Sequence, residues 1–144
     1  MKHKHFILPF VLVALIAVTA LAGCNGNHGG LDAPPSHAVE SIQEIGQGET
    51  VFRLEITAPD GTLTAWDVNT NEETVGAALL AVGLIGGEET EFGLFVTEVN
   101  GVSANFDVNG AFWGFFIDGA FAITGVDTTA IESGVTYAFV YTQD

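Results

Sequence analysis

Alternation of apolar and polar residues, interrupted by short turn sequences, is the feature that most constrains the fold of this chain. Phe52, Leu54 and Ile56 alternate with more polar residues over Thr50–Thr57, the period-two pattern of a strand with one buried face. Turn sequences separate this and later segments at Pro59-Asp60-Gly61, Asn100-Gly101, Asn109-Gly110 and Asp118-Gly119. The chain is therefore predicted to form short strands joined by tight turns.

The order of the predicted elements indicates an α+β domain. Further strands are predicted over residues 62–68, 92–99, 102–107, Ala111–Ile117, 120–124 and 135–142. Thr74, or alternatively Thr70, can cap a helix over residues 75–85, which has apolar residues three and four apart. Gly86-Gly87 would end this helix. The acidic residues 88–91 are predicted to form a loop. We expect a sheet with one main helix packed on one face.

The N-terminal segment has the composition of an export signal. Lys2 and Lys4 precede an apolar run over residues 6–22. The run ends in Leu21-Ala22-Gly23-Cys24, which resembles the lipobox of bacterial lipoproteins, whose cysteine is lipidated and becomes the mature N-terminus. A transmembrane helix is the alternative, but this run is at the short end of the roughly 17–25 residues that such a helix needs. We predict a signal peptide over residues 1–23.

Residues 24–48 are predicted to be a flexible tether because Gly, Asn, Pro, Ser and Gln are frequent there. His28 and His37 lie in this segment and are interpreted as solvated spacer residues rather than metal ligands. The folded domain is predicted over residues 49–144. Lipidated Cys24 would anchor it to the bacterial membrane, at the cell surface or facing the periplasm.

The charge and composition of the mature chain exclude several functions. Arg53 is its one Lys or Arg, against 18 Asp and Glu residues, so nucleic acid is a very poor partner. Residues 49–144 contain no His, Lys or Cys, which removes most general bases and nucleophiles. The protein is predicted not to be an enzyme.

An ordered set of short motifs carries a resemblance to a known family. The motifs are Thr74-Val75, Val99-Asn100-Gly101, Phe112-Trp113, Ile117-Asp118-Gly119, Gly125-Val126-Asp127, and Gly134 followed by Tyr137-Ala138-Phe139. Together they resemble the DUF4430 family, bacterial domains similar to the C-terminal domain of transcobalamin and intrinsic factor. The resemblance covers residues 51–141 and implies a β-grasp-like fold that binds a soluble ligand, with cobalamin as the ligand of the animal relatives.

The aromatic strand Ala111–Ile117 is the sharpest candidate for a binding surface. Alternation places Trp113 and Phe115 on one face and Phe112 and Phe116 on the other. One face must be core, and the other is either a stacking platform for a flat ligand or also buried. The predicted ligand-binding residues are Trp113, Phe115, Phe112, Trp66 and Tyr137.

Oxygen-bearing side chains alternate like the start of a calcium loop at Asp67, Asn69, Asn71 and Glu73. An EF-hand requires Gly at its sixth position and an acidic residue at its twelfth, where this chain has Glu72 and Ala78. Turn and helix-capping roles explain these residues better, so no metal site is predicted. A cobalamin-like ligand or calcium remains open as a bound species.

These features predict a lipid-anchored binding module outside the cytoplasm. It would capture a small ligand, a corrinoid or another vitamin, and present it to an uptake transporter. The alternative is a surface domain for protein–protein interaction or adhesion that has no small-molecule pocket.

Overall fold

A computed structural model describes residues 41–143 of the protein. The predicted signal peptide 1–23, Cys24 and most of the predicted tether 24–48 lie outside these residues, so their assignment stays a prediction. Among residues 41–143 no helix combines the length and the apolar character that crossing a bilayer requires.

Strands dominate the described residues and are accompanied by two short helices. In chain order the elements are β1 (Ile42–Gly46), β2 (Thr50–Thr57), β3 (Leu63–Thr70), α1 (Val75–Ala81), β4 (Ile85–Thr90), β5 (Gly93–Val99), β6 (Val102–Ser103), α2 (Phe106–Asn109), β7 (Ala111–Ile117), β8 (Ala120–Phe121) and β9 (Thr136–Gln143). The predicted α+β class is confirmed, although the helical share is small.

The strands form two sheets. The larger sheet has six strands in the order β1-β3-β2-β9-β7-β8, and the smaller has three in the order β4-β5-β6. In the larger sheet β2 pairs with β9 in parallel, whereas β3 and β7 join this central pair antiparallel on either side. The N-terminal hairpin and the C-terminal strand are therefore adjacent in the middle of the sheet.

The first hairpin follows the predicted pattern closely. Strand β2 has the predicted bounds, and its apolar residues Phe52, Leu54 and Ile56 are buried. In the turn to β3, Asp60 Oδ1 accepts a hydrogen bond of 2.9 Å from the Thr62 amide. This bond to the turn backbone holds the pKa of the exposed Asp60 carboxyl below its usual value.

Helix α1 begins as predicted but ends earlier. Thr74 caps it, with its Oγ1 accepting from the Ala77 amide. The predicted end at residue 85 is wrong because the helix stops at Ala81 in a Schellman motif. In that motif Gly83 has φ +70°, and the Leu84 amide donates to the carbonyl of Leu79 over 2.9 Å.

The residues after the helix form a strand instead of the predicted stop and loop. Gly86 and Gly87 lie in β4, at an irregularity in its pairing with β5. A Cβ at Gly87 would overlap the carbonyl oxygen of Phe95, so this close approach of two backbones requires glycine. The predicted loop over residues 88–91 is therefore wrong for residues 88–90, which belong to β4 and end it at Thr90.

Two other segments differ from the prediction. Strand β1 forms within the predicted tether and pairs in parallel with β3. The predicted strand over residues 102–107 ends at Ser103, since Asn105 caps the single helical turn α2. The Asn105 side chain accepts hydrogen bonds from the amides of Asp107 and Val108, which favours a helical turn over an extended strand.

One hydrophobic core connects α1 with both sheets. Val75, Ala78 and Leu79 of the helix are fully buried against the inner face of the larger sheet. The smaller sheet contributes Ile85 and Val99 to the same core. The two sheets therefore meet at their apolar faces, and β5 lies beside β7.

Candidate functional site

Strand β7 has the predicted bounds, and its register defines which aromatic residues share a face. Trp113 pairs with Tyr141 and Phe115 with Phe139, so these side chains lie on the inner face of the larger sheet. Phe112 lies on the opposite face, where it pairs with Thr142. The inner face therefore holds two of the predicted ligand-binding residues, and Phe112 is separated from them by the sheet.

Trp113 connects the larger sheet to the smaller one. Its side chain is 7% exposed, and its indole Nε1 donates a hydrogen bond of 3.0 Å to the Val102 carbonyl of β6. Its ring meets that of Tyr141 edge to face, with centroids 5.3 Å apart. Trp113 thus has a structural role as well as a position at the candidate site.

An open cavity of about 220 Å³ lies between β5 and the β7–β8 end of the larger sheet. Its lining is mostly apolar and comprises Leu94, Phe95, Val96, Trp113, Phe115, Phe121, Ala122, Thr124, Gly125, Val126 and Phe139. We call this cavity the aromatic cleft. Phe95 and Phe121 lie at its edge with 57% and 62% of their surfaces exposed. The Phe121 ring packs edge to face against Phe116 on the opposite face of the larger sheet, so the aromatic cleft offers a shallow apolar recess with the exposed Phe95 at its edge.

Like Phe112, two further predicted ligand-binding residues lie outside the aromatic cleft. Tyr137 is 1% exposed, and its hydroxyl donates to the Ala130 carbonyl and accepts from the Glu132 amide, at 3.0 and 2.9 Å. These bonds hold the segment before β9. Trp66 packs against the core from β3, and its buried indole Nε1 has no hydrogen-bond partner among the described residues.

Asp127 is a polar residue near the aromatic cleft that the sequence analysis did not single out. Its Oδ1 atom is buried and has no hydrogen-bond partner in the described part of the chain. The carboxylate lies close to the backbones of Gly93 and Gly125, on either side of it. The Gly125-Val126-Asp127 motif was visible in the sequence, but its proximity to Gly93 depends on the tertiary fold.

The residues considered as calcium ligands make protein contacts instead. Asp67 Oδ1 forms an ion pair of 2.7 Å with Arg53 Nε, and Asn71 Oδ1 accepts from the Glu49 amide over 3.1 Å. Within residues 41–143 no group of three or more His, Cys, Asp or Glu side chains is arranged to hold a metal ion. Structural roles therefore account for both side chains.

The fold and the site define an acidic α+β domain with an aromatic cleft between two sheets. The chain belongs to the DUF4430 family, described as a domain of unknown function, whose pattern matches residues 61–143. The predicted family is thereby confirmed. A search of curated proteins finds no match.

Solved structures share this fold. A crystal structure from Ruminococcus gnavus, of a protein provisionally named as metal-binding, superposes with a TM-score of 0.62 at 24% identity and covers 67% of this chain and 99% of its own. A crystal structure of haptocorrin in complex with Cbi superposes with a TM-score of 0.49 at 15% identity, covering 65% of this chain and 25% of haptocorrin. At 24% identity the likeness to the Ruminococcus gnavus structure shows the fold alone.

Proposed function

We propose that this protein is a lipid-anchored extracytoplasmic lipoprotein whose domain binds a small ligand at the aromatic cleft. The observation that carries the proposal is the open apolar recess between the sheets, bordered by the exposed side chain of Phe95. Ligand sites are typically concave and lined mainly by apolar and aromatic side chains. The lipidation of Cys24 rests on the leader sequence.

A β-grasp-like assignment is part of this proposal. Its support is the order of a hairpin, β2–β3, then helix α1, and a C-terminal strand β9 that returns to pair in parallel with β2. The cleft lies on the helix-bearing side of this sheet, where the smaller sheet partly covers β7. This arrangement leaves the recess open along one edge.

The size of the cleft limits how a ligand would bind. A volume of about 220 Å³ is below the roughly 300–1,000 Å³ of sites that enclose drug-sized ligands. A single ring or the edge of a larger flat molecule fits this space, and the rest of the molecule would lie against Phe95. The resemblance to the transcobalamin C-terminal domain implies a more specific version of this function. In that version the ligand is a corrinoid or another vitamin, which the protein passes to an uptake transporter.

A protein–protein interaction domain is the second candidate, and a specific observation favours it. Large apolar side chains are exposed at Phe92, Phe95, Phe106, Val108, Phe121 and Ile123. Phe95 and Phe106 line one open recess, and neighbouring exposed apolar side chains commonly mark an interaction site. In this function the aromatic cleft would receive one apolar side chain of a surface partner.

Calorimetric titration of the full-length chain with cobinamide, cobalamin and calcium tests the small-ligand function. Phe95→Ala should weaken binding at least fivefold. Phe106→Ala is the matched control because Phe106 is similarly exposed, 59% against 57% for Phe95, but lies outside the cleft. Absence of binding by every ligand in the wild-type chain would refute corrinoid and calcium capture, and equal losses in both variants would place the ligand outside the aromatic cleft.

Metabolic labelling with a fatty acid tests the lipid anchor in the bacterial host. Wild-type protein should incorporate the label and fractionate with membranes, whereas Cys24→Ser should do neither. Labelling of the Cys24→Ser variant would place the lipid elsewhere and contradict the assignment.

A further inference from the structure

We propose that the ligand of the aromatic cleft carries a positively charged amine, which binds the carboxylate of Asp127 while an apolar ring occupies the cleft. This inference rests on the proposed small-ligand function and adds the chemical class of the ligand. An aryl-alkyl amine is the simplest molecule of that class.

The first observation is the orphaned oxygen of Asp127. Its Oδ1 atom is buried, yet no donor from the described residues forms a hydrogen bond with it. A buried carboxylate oxygen without a donor is costly, and native structures seldom leave one unsatisfied without a functional reason. A donor from a ligand would remove this cost.

The second observation is the pair of glycines that face the carboxylate. A Cβ at Gly93 would lie 2.5 Å from Asp127 Oδ2, and a Cβ at Gly125 would lie 2.5 Å from Oδ1. Gly93 also has φ +104°, which disfavours any other residue there. The carboxylate therefore occupies space that a side chain at either position would fill.

The segment that carries Asp127 is fixed next to the cleft. The Val126 carbonyl accepts a hydrogen bond of 2.9 Å from the Gly76 amide at the start of α1. Gly125 and Val126 line the aromatic cleft, as does Leu94, the neighbour of Gly93. The carboxylate thus lies next to Gly125 of the cleft wall, while Asp127 itself is not a lining residue.

The protein supplies no cation for this carboxylate. Arg53 is the only Lys or Arg among residues 41–143, and its Nε is paired with Asp67 at 2.7 Å. A counter-charge for Asp127 must therefore come from outside the domain. The strongly acidic surface would also raise the local concentration of cationic molecules.

An organic amine fits this site better than a metal ion. Calcium takes six to eight oxygen ligands, and no group of three metal-binding side chains occurs in the described residues. The Gly125 carbonyl is already engaged by the hydroxyls of Thr128 and Thr129, at 3.1 and 2.8 Å. A single carboxylate beside an apolar recess suits an ammonium group attached to a ring.

Calorimetry of the full-length chain with isosteric probes tests the inference. 2-Phenylethylamine, 2-phenylethanol and phenylacetate share a ring and chain length but differ in charge. We expect the amine to bind at least tenfold more tightly than the alcohol, and phenylacetate to bind most weakly. Asp127→Asn should abolish the preference for the amine and leave alcohol binding unchanged, whereas Glu44→Gln, an exposed control on β1 with the same charge change, should retain it.

Ligand-free thermal unfolding provides a second readout. Because Asp127→Asn removes the negative charge from a side chain whose buried Oδ1 atom has no donor, its melting temperature should equal or exceed that of the wild type. Equal affinities for amine and alcohol would overturn the inference and leave the cleft as a neutral apolar site. The inference would also be overturned if none of the three probes bound. The small-ligand function itself would be refuted only if the corrinoids failed to bind as well. If calcium raised the melting temperature of the wild type but not of Asp127→Asn, the ligand of Asp127 would be a metal ion and not an amine.

Discussion

Trp113 shows how one residue serves both the fold and the candidate site. Its ring lines the aromatic cleft, while its indole N–H joins β7 to β6 through the Val102 carbonyl. The sequence predicted its face correctly through the alternation of β7. It did not predict the hydrogen bond, because β6 meets β7 only in the folded chain.

Replacing each tryptophan by phenylalanine separates this hydrogen bond from the loss of ring size. Trp113→Phe leaves the Val102 carbonyl without its donor and should lower the free energy of unfolding by about 1 kcal/mol more than Trp66→Phe. Trp66 is the matched control because its buried Nε1 has no partner to lose. Urea unfolding measures both values, and equal destabilisation would contradict a stabilising hydrogen bond from Trp113 to the Val102 carbonyl.

Asp60 predicts a small dependence of stability on pH. Its carboxylate accepts from the Thr62 amide, which lowers its pKa from 3.8 in the folded state. The resulting stabilisation is present above the unfolded pKa and is lost as the pH falls through the lower folded value. NMR titration should show Asp60 ionising below pH 3.8, and a midpoint at or above this value would contradict the turn geometry.

At the scale of elements, local signals were reliable and long-range pairing was not. Strands β2 and β7 and the cap at Thr74 were predicted from alternation and helix-start chemistry alone. The early end of α1 was missed because a single glycine, Gly83 with φ +70°, ends the helix before Gly86-Gly87 is reached. Strand β1 was missed because it is stabilised by pairing with β3, which is distant in sequence. Strand β4 was missed because its glycines, which favour a helix stop, are needed for a close backbone contact with β5.

Gly83→Ala and Gly76→Ala test the two roles of glycine around α1. Gly83 has φ +70° with no atom near its absent Cβ, so its replacement should cost only about 1 kcal/mol. A Cβ at Gly76 would approach the Asp127 backbone to 2.8 Å, so this variant should be destabilised considerably more. Thermal unfolding ranks the two variants, and the reverse order would contradict the packing of Asp127 on α1.

At the scale of the whole molecule, the aromatic cleft exists because two sheets share one core. Trp113 and Phe115 come from the larger sheet, and Leu94, Phe95 and Val96 come from the smaller one. Sequence alternation placed the first pair on one face but could not place β5 opposite them. The same limit applies to Asp127, whose proximity to Gly93 joins segments far apart in the sequence.

The most direct test of a small-ligand site in the cleft is NMR of the two tryptophan indole N–H groups in the full-length chain. Trp113 lines the cleft, and Trp66 lies outside it as an internal reference. On titration with 2-phenylethylamine or cobinamide, the Trp113 signal should shift in a saturable manner while the Trp66 signal stays in place. A saturable shift of Trp66 alone, or no shift of Trp113 with any ligand that binds, would contradict the proposed site.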